Sequence, residues 1–194
     1  MSFVIRSETA ADQAAIGELT TAAFLNVAHA NGTEAAIVRD LRAAGALVLS
    51  LVAVDPAGEI VGHAGFSPIE TDMPGRWFGL GPLSVAPAWQ RIGVGSALVQ
   101  AGLAQLTELK AAGVVLVGEP AYYGRFGFAA QPGLSCQGVP DVYVQALAFG
   151  EAPAWKAIVF HPAFFTAKSA SAERGGRSSD VPMRWRDRIV SRNR

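Results

Sequence analysis

The chemistry of this chain is concentrated in Leu83-Ser84-Val85-Ala86-Pro87-Ala88-Trp89-Gln90-Arg91-Ile92-Gly93-Val94-Gly95-Ser96, which reads as strand, short loop, glycine-bearing turn and helix start. The first turn of a helix exposes N–H groups that have no intrahelical partner and carries the positive end of the macrodipole. Phosphate oxygens bind well to that combination. Glycines at 93 and 95 remove the Cβ atoms that would hold an anion away from the backbone. Arg91 adds a guanidinium able to make a charge-assisted hydrogen bond. Gln90, Arg91, Ile92, Gly93, Val94, Gly95 and Ser96 therefore form a candidate anion site. The plainer alternative is a glycine-rich turn that binds nothing.

Three phosphate-binding loops compete for this stretch. The nucleoside-triphosphate loop requires Gly-Lys-Ser/Thr, a run this sequence does not contain. The dinucleotide fingerprint needs a third glycine where Leu98 stands, and an early βαβ unit instead of a mid-chain motif. The third pattern, Gln/Arg-x-x-Gly-x-Gly/Ala, is matched in full by Gln90, Gly93 and Gly95. This stretch resembles the coenzyme-A-binding motif of the GNAT superfamily of N-acetyltransferases. Tyr123-Gly124-Arg125-Phe126-Gly127-Phe128 follows the apolar run 114–117, as Tyr-x-x-x-Gly-Phe does in that superfamily. Val61-Gly62-His63-Ala64-Gly65-Phe66-Ser67-Pro68, Leu80-Gly81-Pro82-Leu83-Ser84-Val85 and Tyr122-Tyr123 to Phe128 look like a bacterial subfamily of predicted N-acetyltransferases, and Val159-Phe160-His161-Pro162-Ala163-Phe164 resembles its C-terminal strand. The order of elements fits over about residues 3–150.

The resemblance implies a reaction and a set of roles. In the superfamily a free amine attacks the thioester of acetyl-CoA directly. The strand before the pyrophosphate loop splays from its parallel neighbour and pairs with pantetheine through its main chain. Leu83, Ser84 and Val85 fall on that strand, and a backbone N–H near Val85 would polarise the thioester carbonyl. Pro82, which has no N–H, is compatible with interrupted pairing there. Tyr123 takes the position of the family's tyrosine, as general acid or hydrogen-bond donor to the departing thiolate, while Tyr122 reads as a packing residue. An ammonium has no lone pair, so a base is needed. Glu119 is the first candidate, followed by Glu70, Asp72 and His63; each could equally be a solvated carboxylate or a packed histidine, and ordered water could relay the proton. The implied cosubstrate is acetyl-CoA and the acceptor a primary amine, without a choice among protein N-termini, lysines, antibiotics, polyamines and tRNA-linked amines. Dimers are common in the superfamily, so a homodimer is compatible.

Other chemistry finds little support. His29, His63 and His161 share no metal-ligand spacing with Cys136, so no metal is expected. There is no Gly-x-Ser-x-Gly elbow for a serine hydrolase. The competing class is an acyl-CoA-binding module without turnover, acting as a sensor or partner-binding subunit. Transfer of a different acyl group is a further variant, decided by the size of the pocket.

The elements that must position these residues are legible from periodicity. Phe3 to Arg6 reads as a short strand. Thr9 begins a helix through residue 25, with Ala15, Ile16, Leu19, Ala23 and Phe24 at helical spacing. A second helix at about 33–44 stops at Gly45. Residues 47–54 and 59–67 form a hairpin about Asp55-Pro56-Ala57-Gly58. The next strand ends in Leu83-Ser84-Val85, and Gly79, Gly81 and Pro82 within it predict a bulge or a break in pairing. Residues 92–112 form the clearest helix, ended by Gly113, and 114–117 a buried strand. A short helix at 120–126 and strands near 141–149 and 155–161 complete the order β-α-α-β-β-β-α-β-α-β-β. The expected fold class is mixed α/β (α+β): a mostly antiparallel sheet flanked by helices, with a splayed parallel strand pair at the cofactor site.

Composition sets the outer bounds. With 51% hydrophobic and 16% charged residues, the chain can bury a large core. No stretch has the roughly 18 uninterrupted apolar residues of a membrane helix, and the N-terminus lacks the plan of a secretory signal, so a cytoplasmic protein is expected. The net charge of zero conceals an asymmetry. Residues 1–167 carry 8 Lys/Arg against 13 Asp/Glu, whereas 168–194 carry 8 against 3. The charge break marks a basic, flexible tail over 168–194, with nucleic acid as an alternative contact of the tail, and the resemblance then implies an N-acetyltransferase domain over 1–167. The acidic balance of the domain suits a cationic amine.

Overall fold

The computed structural model describes residues 1–25 and 33–166. The tail expected at 168–194 lies outside the described residues. The strands are β1 (Val4–Ser7), β2 (Leu49–Val54), β3 (Ile60–Thr71), β4 (Trp77–Val85), β5 (Gly113–Val117), β6 (Ser135–Cys136), β7 (Val144–Ala148) and β8 (Ala157–Phe160). The helices are α1 (Gln13–Phe24), α2 (Glu34–Ala43), α3 (Val94–Glu108), α4 (Pro120–Tyr123) and α5 (Ala163–Thr166). The main sheet runs β1-β2-β3-β4-β5-β7, and β8 joins the far half of the long β3. Pairing is antiparallel throughout this order except between β4 and β5. This is the mixed α/β arrangement expected; β6 and α5 are additions that periodicity did not reveal, because each is too short to show a period.

Alternation along β3 divides the two faces. Phe66 and its even-numbered neighbours face α3, whereas His63 and Ser67 face α1 and α2. Glycines clear the path of helix α3 against the sheet. A Cβ on Gly62 would lie 2.7 Å from Val94 Cγ1, and one on Gly102 would lie 2.2 Å from Phe66 Cζ. Phe66, Leu98, Leu106 and Leu116 are fully buried in this layer. On the other face Ile16 and Val38 pack against Val52 and Val54. The buried contacts on both faces fix the level of the α3 N-terminus relative to the end of β4.

Helix α3 ends earlier than the glycine rule predicts, at Glu108 and not near Gly113. Ala111 N–H reaches back to Leu106 carbonyl and Lys110 N–H to Thr107 carbonyl, the paired bonds of a Schellman cap. Lys110 occupies the left-handed position at φ 55°, and the Arg76 guanidinium donates to the Leu109 carbonyl. Gly113 instead opens β5, where Trp77 and the Leu147 carbonyl leave no room for a Cβ.

Candidate active site

Strands β4 and β5 pair only over Trp77–Gly113, Phe78–Val114 and Gly79–Val115. Beyond that point β4 continues from Leu80 to Val85 against β3 alone, while Leu116 and Val117 of β5 pair with β7. A parallel pair that parts in this way leaves one edge of β4 without a strand neighbour among the described residues, and its main-chain groups seek another partner. A bulge marks the start of the open segment: Gly65 of β3 stands opposite both Gly81 and Pro82, between the pairs Ala64–Leu83 and Phe66–Leu80. Glycine at 65 and 81 and the donor-less proline are what the irregular pairing uses. Leu83 and Val85 turn their half-buried side chains toward the start of α3, and Ser84, fully buried, turns the other way.

The loop from β4 to α3 is tied back to the strand by Gln90, whose Nε2 donates to the Val85 carbonyl at 3.1 Å. The glutamine of the motif thus closes the loop. Arg91 and Gly93 both take left-handed conformations, at φ 64° and 99°, and Arg91, Ile92 and Gly93 are exposed. Gly93 is the N-cap of α3 and supplies no side chain, and the first helical bond runs from Ala97 N–H to its carbonyl. The N–H groups of Val94, Gly95 and Ser96 consequently have no side-chain cap, the condition under which a helix start binds an anion. Gly95 has a second reason to lack a side chain. Its Cβ would stand 2.7 Å from the Tyr122 hydroxyl. Tyr122, read from sequence as a packing residue, therefore brings a polar atom to the first turn of α3, with the Arg125 guanidinium 4.0 Å from its ring centroid.

Glu119 and Tyr123 come from the same short segment, just past the end of β5. Tyr123 lies over Gly118, where a Cβ would meet its ring at 2.2 Å, and edge-on to Tyr122 and Phe128. Burial, and secondarily the neighbouring Tyr122, raise the Tyr123 phenol above its ordinary pKa, with Arg125 opposing, so the hydroxyl keeps its proton. That hydroxyl has no hydrogen-bond partner among the described residues. Glu119 is exposed and its carboxylate accepts from the Ala121 N–H at 3.5 Å as the cap of α4. Glu70 and Asp72 lie on or beyond a part of β3 different from the residues that pair with Leu83, Ser84 and Val85. That part pairs with β8, and Glu70 stands four residues past Phe66, which faces the first residue of the open segment, or about 13 Å along the strand.

Polar groups also gather on the α1–α2 side of the same strands. Ser84 Oγ lies 3.2 Å from Thr20 Oγ1 of α1, both fully buried. His63, the cross-strand partner of Ser84, is fully buried and lies 2.9 Å from Ser50 Oγ through Nε2. Ser50 donates to the carboxylate of Glu8, which Arg42 clamps with bonds of 2.8 and 2.9 Å. Despite the cost of burial, Arg42, Ser50 and His63 together hold Glu8 below its ordinary pKa. Burial pushes His63 down to about 4, Glu8 opposing and Arg42 assisting, so the ring is neutral at pH 7.

Residues 15–128 match the model of the Acetyltransferase (GNAT) family, a span that includes the fork, the α3 loop and Tyr123. The chain belongs to the GNAT family. A curated GNAT relative, the uncharacterized N-acetyltransferase YhbS of Escherichia coli K12, is 40% identical over 118 residues, 59% of this chain and 71% of YhbS. The crystal structure of a GNAT acetyltransferase from Brucella melitensis in complex with acetyl-CoA superposes with a TM-score of 0.73 at 43% identity, over 84% of this chain and 98% of that one. The structure of E. coli YhbS in complex with CoA gives 0.74 at 31% identity, over 84% and 91%. Within this GNAT domain, sequence reasoning missed Gly118 as the seat of Tyr123 and the hydroxyl of Tyr122 beside Gly95. A glycine directly after a buried strand and before a tyrosine pair was the available signal for Gly118. The contact between Tyr122 and Gly95, 27 residues apart, left none.

Proposed function

We propose that this GNAT protein transfers the acetyl group of acetyl-CoA directly to a primary amine. The observation that carries the reading is the fork: an unpaired β4 edge, an uncapped α3 start at its mouth and a free tyrosine hydroxyl on the other arm. Pantetheine would pair with Leu83, Ser84 and Val85, and the pyrophosphate would lie on the loop from Gln90 to Ser96. A relative of 43% identity bound to acetyl-CoA supports the same donor here. With the α3 side of the fork occupied by that loop, Tyr122 and Tyr123, the side toward α1 and α2 is left for the acceptor. A neutral amine attacks the thioester carbon, the carbonyl oxygen gains charge opposite the β4 backbone, and the C–S bond breaks to a thiolate. Tyr123 meets that sulfur with a hydrogen bond. Its raised pKa makes complete proton transfer uphill, so the bond to the developing thiolate is its main contribution. Glu119, at the mouth of the fork, is the surface candidate for accepting the ammonium proton.

The expected result for Tyr123→Phe is a fall in kcat of about 10²-fold, with acetyl-CoA affinity nearly unchanged. An undiminished kcat removes Tyr123 from the reaction. Release of free CoA with a panel of alkyl amines and of lysine and N-terminal-amine peptides separates enzyme from sensor. Tight acetyl-CoA binding without amine-dependent release sinks the enzyme reading.

A further inference from the structure

Tyr122 crosses the fork. It rises from α4 on the β5 arm, yet its hydroxyl reaches the start of α3, 2.7 Å from where a Cβ on Gly95 would stand. The same point lies 3.5 Å from Val85 Cγ2 and 3.9 Å from Leu83 Cδ2, side chains of the open segment of β4. Cα–Cβ bonds in a helix tilt toward its N-terminus, so the hydroxyl stands at the open end of the first turn. The uncapped N–H groups of Val94, Gly95 and Ser96 belong to that turn. A Cβ on Gly93 would meet nothing within 4 Å, so the space beside the helix cap is open. The ring of Tyr122 is held from several sides: the Arg125 guanidinium 4.0 Å from its centroid, Tyr123 edge-on at 4.8 Å and Phe126 at 5.8 Å. Its hydroxyl, in contrast, has no hydrogen-bond partner among the described residues. Phenylalanine would pack the same ring, and a tyrosine hydroxyl removed from water ordinarily finds a partner.

We propose that the Tyr122 hydroxyl donates to the pyrophosphate of acetyl-CoA, and that Arg125 is the positioning residue that holds the ring in place. The inference rests on the acetyl-CoA site proposed above and is independent of the acceptor. The first turn of α3 offers main-chain N–H groups, which bind any phosphate. A diphosphate presents oxygens on two phosphoryl groups, and a donor to one side of the turn meets the group that the helix does not. A hydrogen bond to a charged oxygen is roughly twice as strong as one between neutral groups. Arg125 is exposed, and its guanidinium makes a cation–π contact with Tyr122. That contact restricts the ring before the ligand arrives, so less freedom is lost on binding. The two neighbouring tyrosines then divide the cofactor between them: Tyr122 takes its anionic middle and Tyr123 its sulfur. Donor specificity follows. A thioester on pantetheine alone offers Tyr122 no pyrophosphate, so the residue favours coenzyme A thioesters over shorter carriers.

The test is titration of the full chain with three ligands. They are CoA, dephospho-CoA, which keeps the pyrophosphate but lacks the ribose phosphate, and pantetheine, which lacks both. Tyr122→Phe should weaken CoA and dephospho-CoA about tenfold each and leave pantetheine unchanged. Arg125→Ala should weaken the same two ligands about threefold and add almost nothing in the Tyr122→Phe background. Because Arg125 is exposed, its variant carries the test if Tyr122→Phe does not fold. Unchanged CoA affinity in Tyr122→Phe overturns the proposal, and so does an equal loss for pantetheine, which would make the hydroxyl structural. A loss for CoA without one for dephospho-CoA also overturns it, by placing the contact at the ribose phosphate. Additive losses in the double variant remove Arg125 as a positioning residue. No amine enters these titrations, so their outcome is separate from turnover. Wild-type protein that binds CoA but acetylates no amine sinks the enzyme reading and leaves this contact standing. Wild-type protein that binds no CoA overturns both.

Discussion

Gly95 shows how one residue can have two separate reasons for its identity. From sequence, glycine at 95 served only to let an anion approach the start of α3. The structure adds the Tyr122 hydroxyl, 2.7 Å from where a Cβ would stand. The reasons separate experimentally. Gly95→Ala should destabilise the ligand-free protein by about 1–2 kcal/mol, the usual cost of forcing a methyl into an occupied space. Tyr122→Phe removes the hydroxyl, so the second substitution in that background should cost at least about 1 kcal/mol less. Acetyl-CoA affinity should stay reduced in both backgrounds, because the methyl still faces the anion. Urea denaturation and acetyl-CoA titration of the four proteins measure the two effects. A cost to stability that is the same with and without the hydroxyl removes the steric account. The loop was legible because its chemistry is local: six consecutive residues suffice to describe a helix start without a cap. Tyr122, Gly118 and the His63 environment were not, because each gains its meaning from a residue 5 to 55 positions away.

At the scale of elements, two helices end in the same motif, and only one end was predicted correctly. Helix α2 closes with Ala46 N–H on Leu41 carbonyl and Gly45 N–H on Arg42 carbonyl, with Gly45 at φ 65°. Helix α3 closes with the same pair of bonds around Lys110 at φ 55°. Sequence rules look for glycine at this position, so they found Gly45 and passed over Lys110 to Gly113. The strand bulge was legible for the opposite reason, since Gly79, Gly81 and Pro82 are residues that regular pairing disfavours. A left-handed non-glycine residue costs about 1–2 kcal/mol, against about 0.5–1 kcal/mol of extra unfolded-chain entropy for glycine. Lys110→Gly should therefore raise stability by about 0.5–1 kcal/mol, while Lys110→Ala should not. A denaturation midpoint that does not rise for glycine would mean that the side chain of Lys110 repays its backbone.

Over the whole molecule, the sheet separates the face that carries α3 from a face of buried polar groups, and the second makes stability depend on pH. His63 titrates near 4 when folded, whereas a histidine in the unfolded chain titrates near 6.5. Below about pH 6.5 the unfolded chain binds a proton that the folded protein refuses. Stability contributed by neutral His63 is fully present above that pH and is lost as the pH falls through about 4. One such group changes stability by about 1.4 kcal/mol per pH unit, or about 3 kcal/mol across the window. Asp12, bonded to Arg6 at 2.6 and 2.9 Å, and the clamped Glu8 are carboxylates with lowered pKa, so their losses come below about pH 4 and do not overlap most of this range. Urea denaturation between pH 7 and 4.5 should show wild-type stability declining with acid and His63→Gln declining less steeply, the difference growing by about 1.4 kcal/mol for each unit below 6.5. Parallel slopes would mean that folded His63 is protonated with its neighbours. The dependence follows from one arrangement: a fully buried histidine beside Ser50 and Glu8, on the strand that pairs with the open segment of β4.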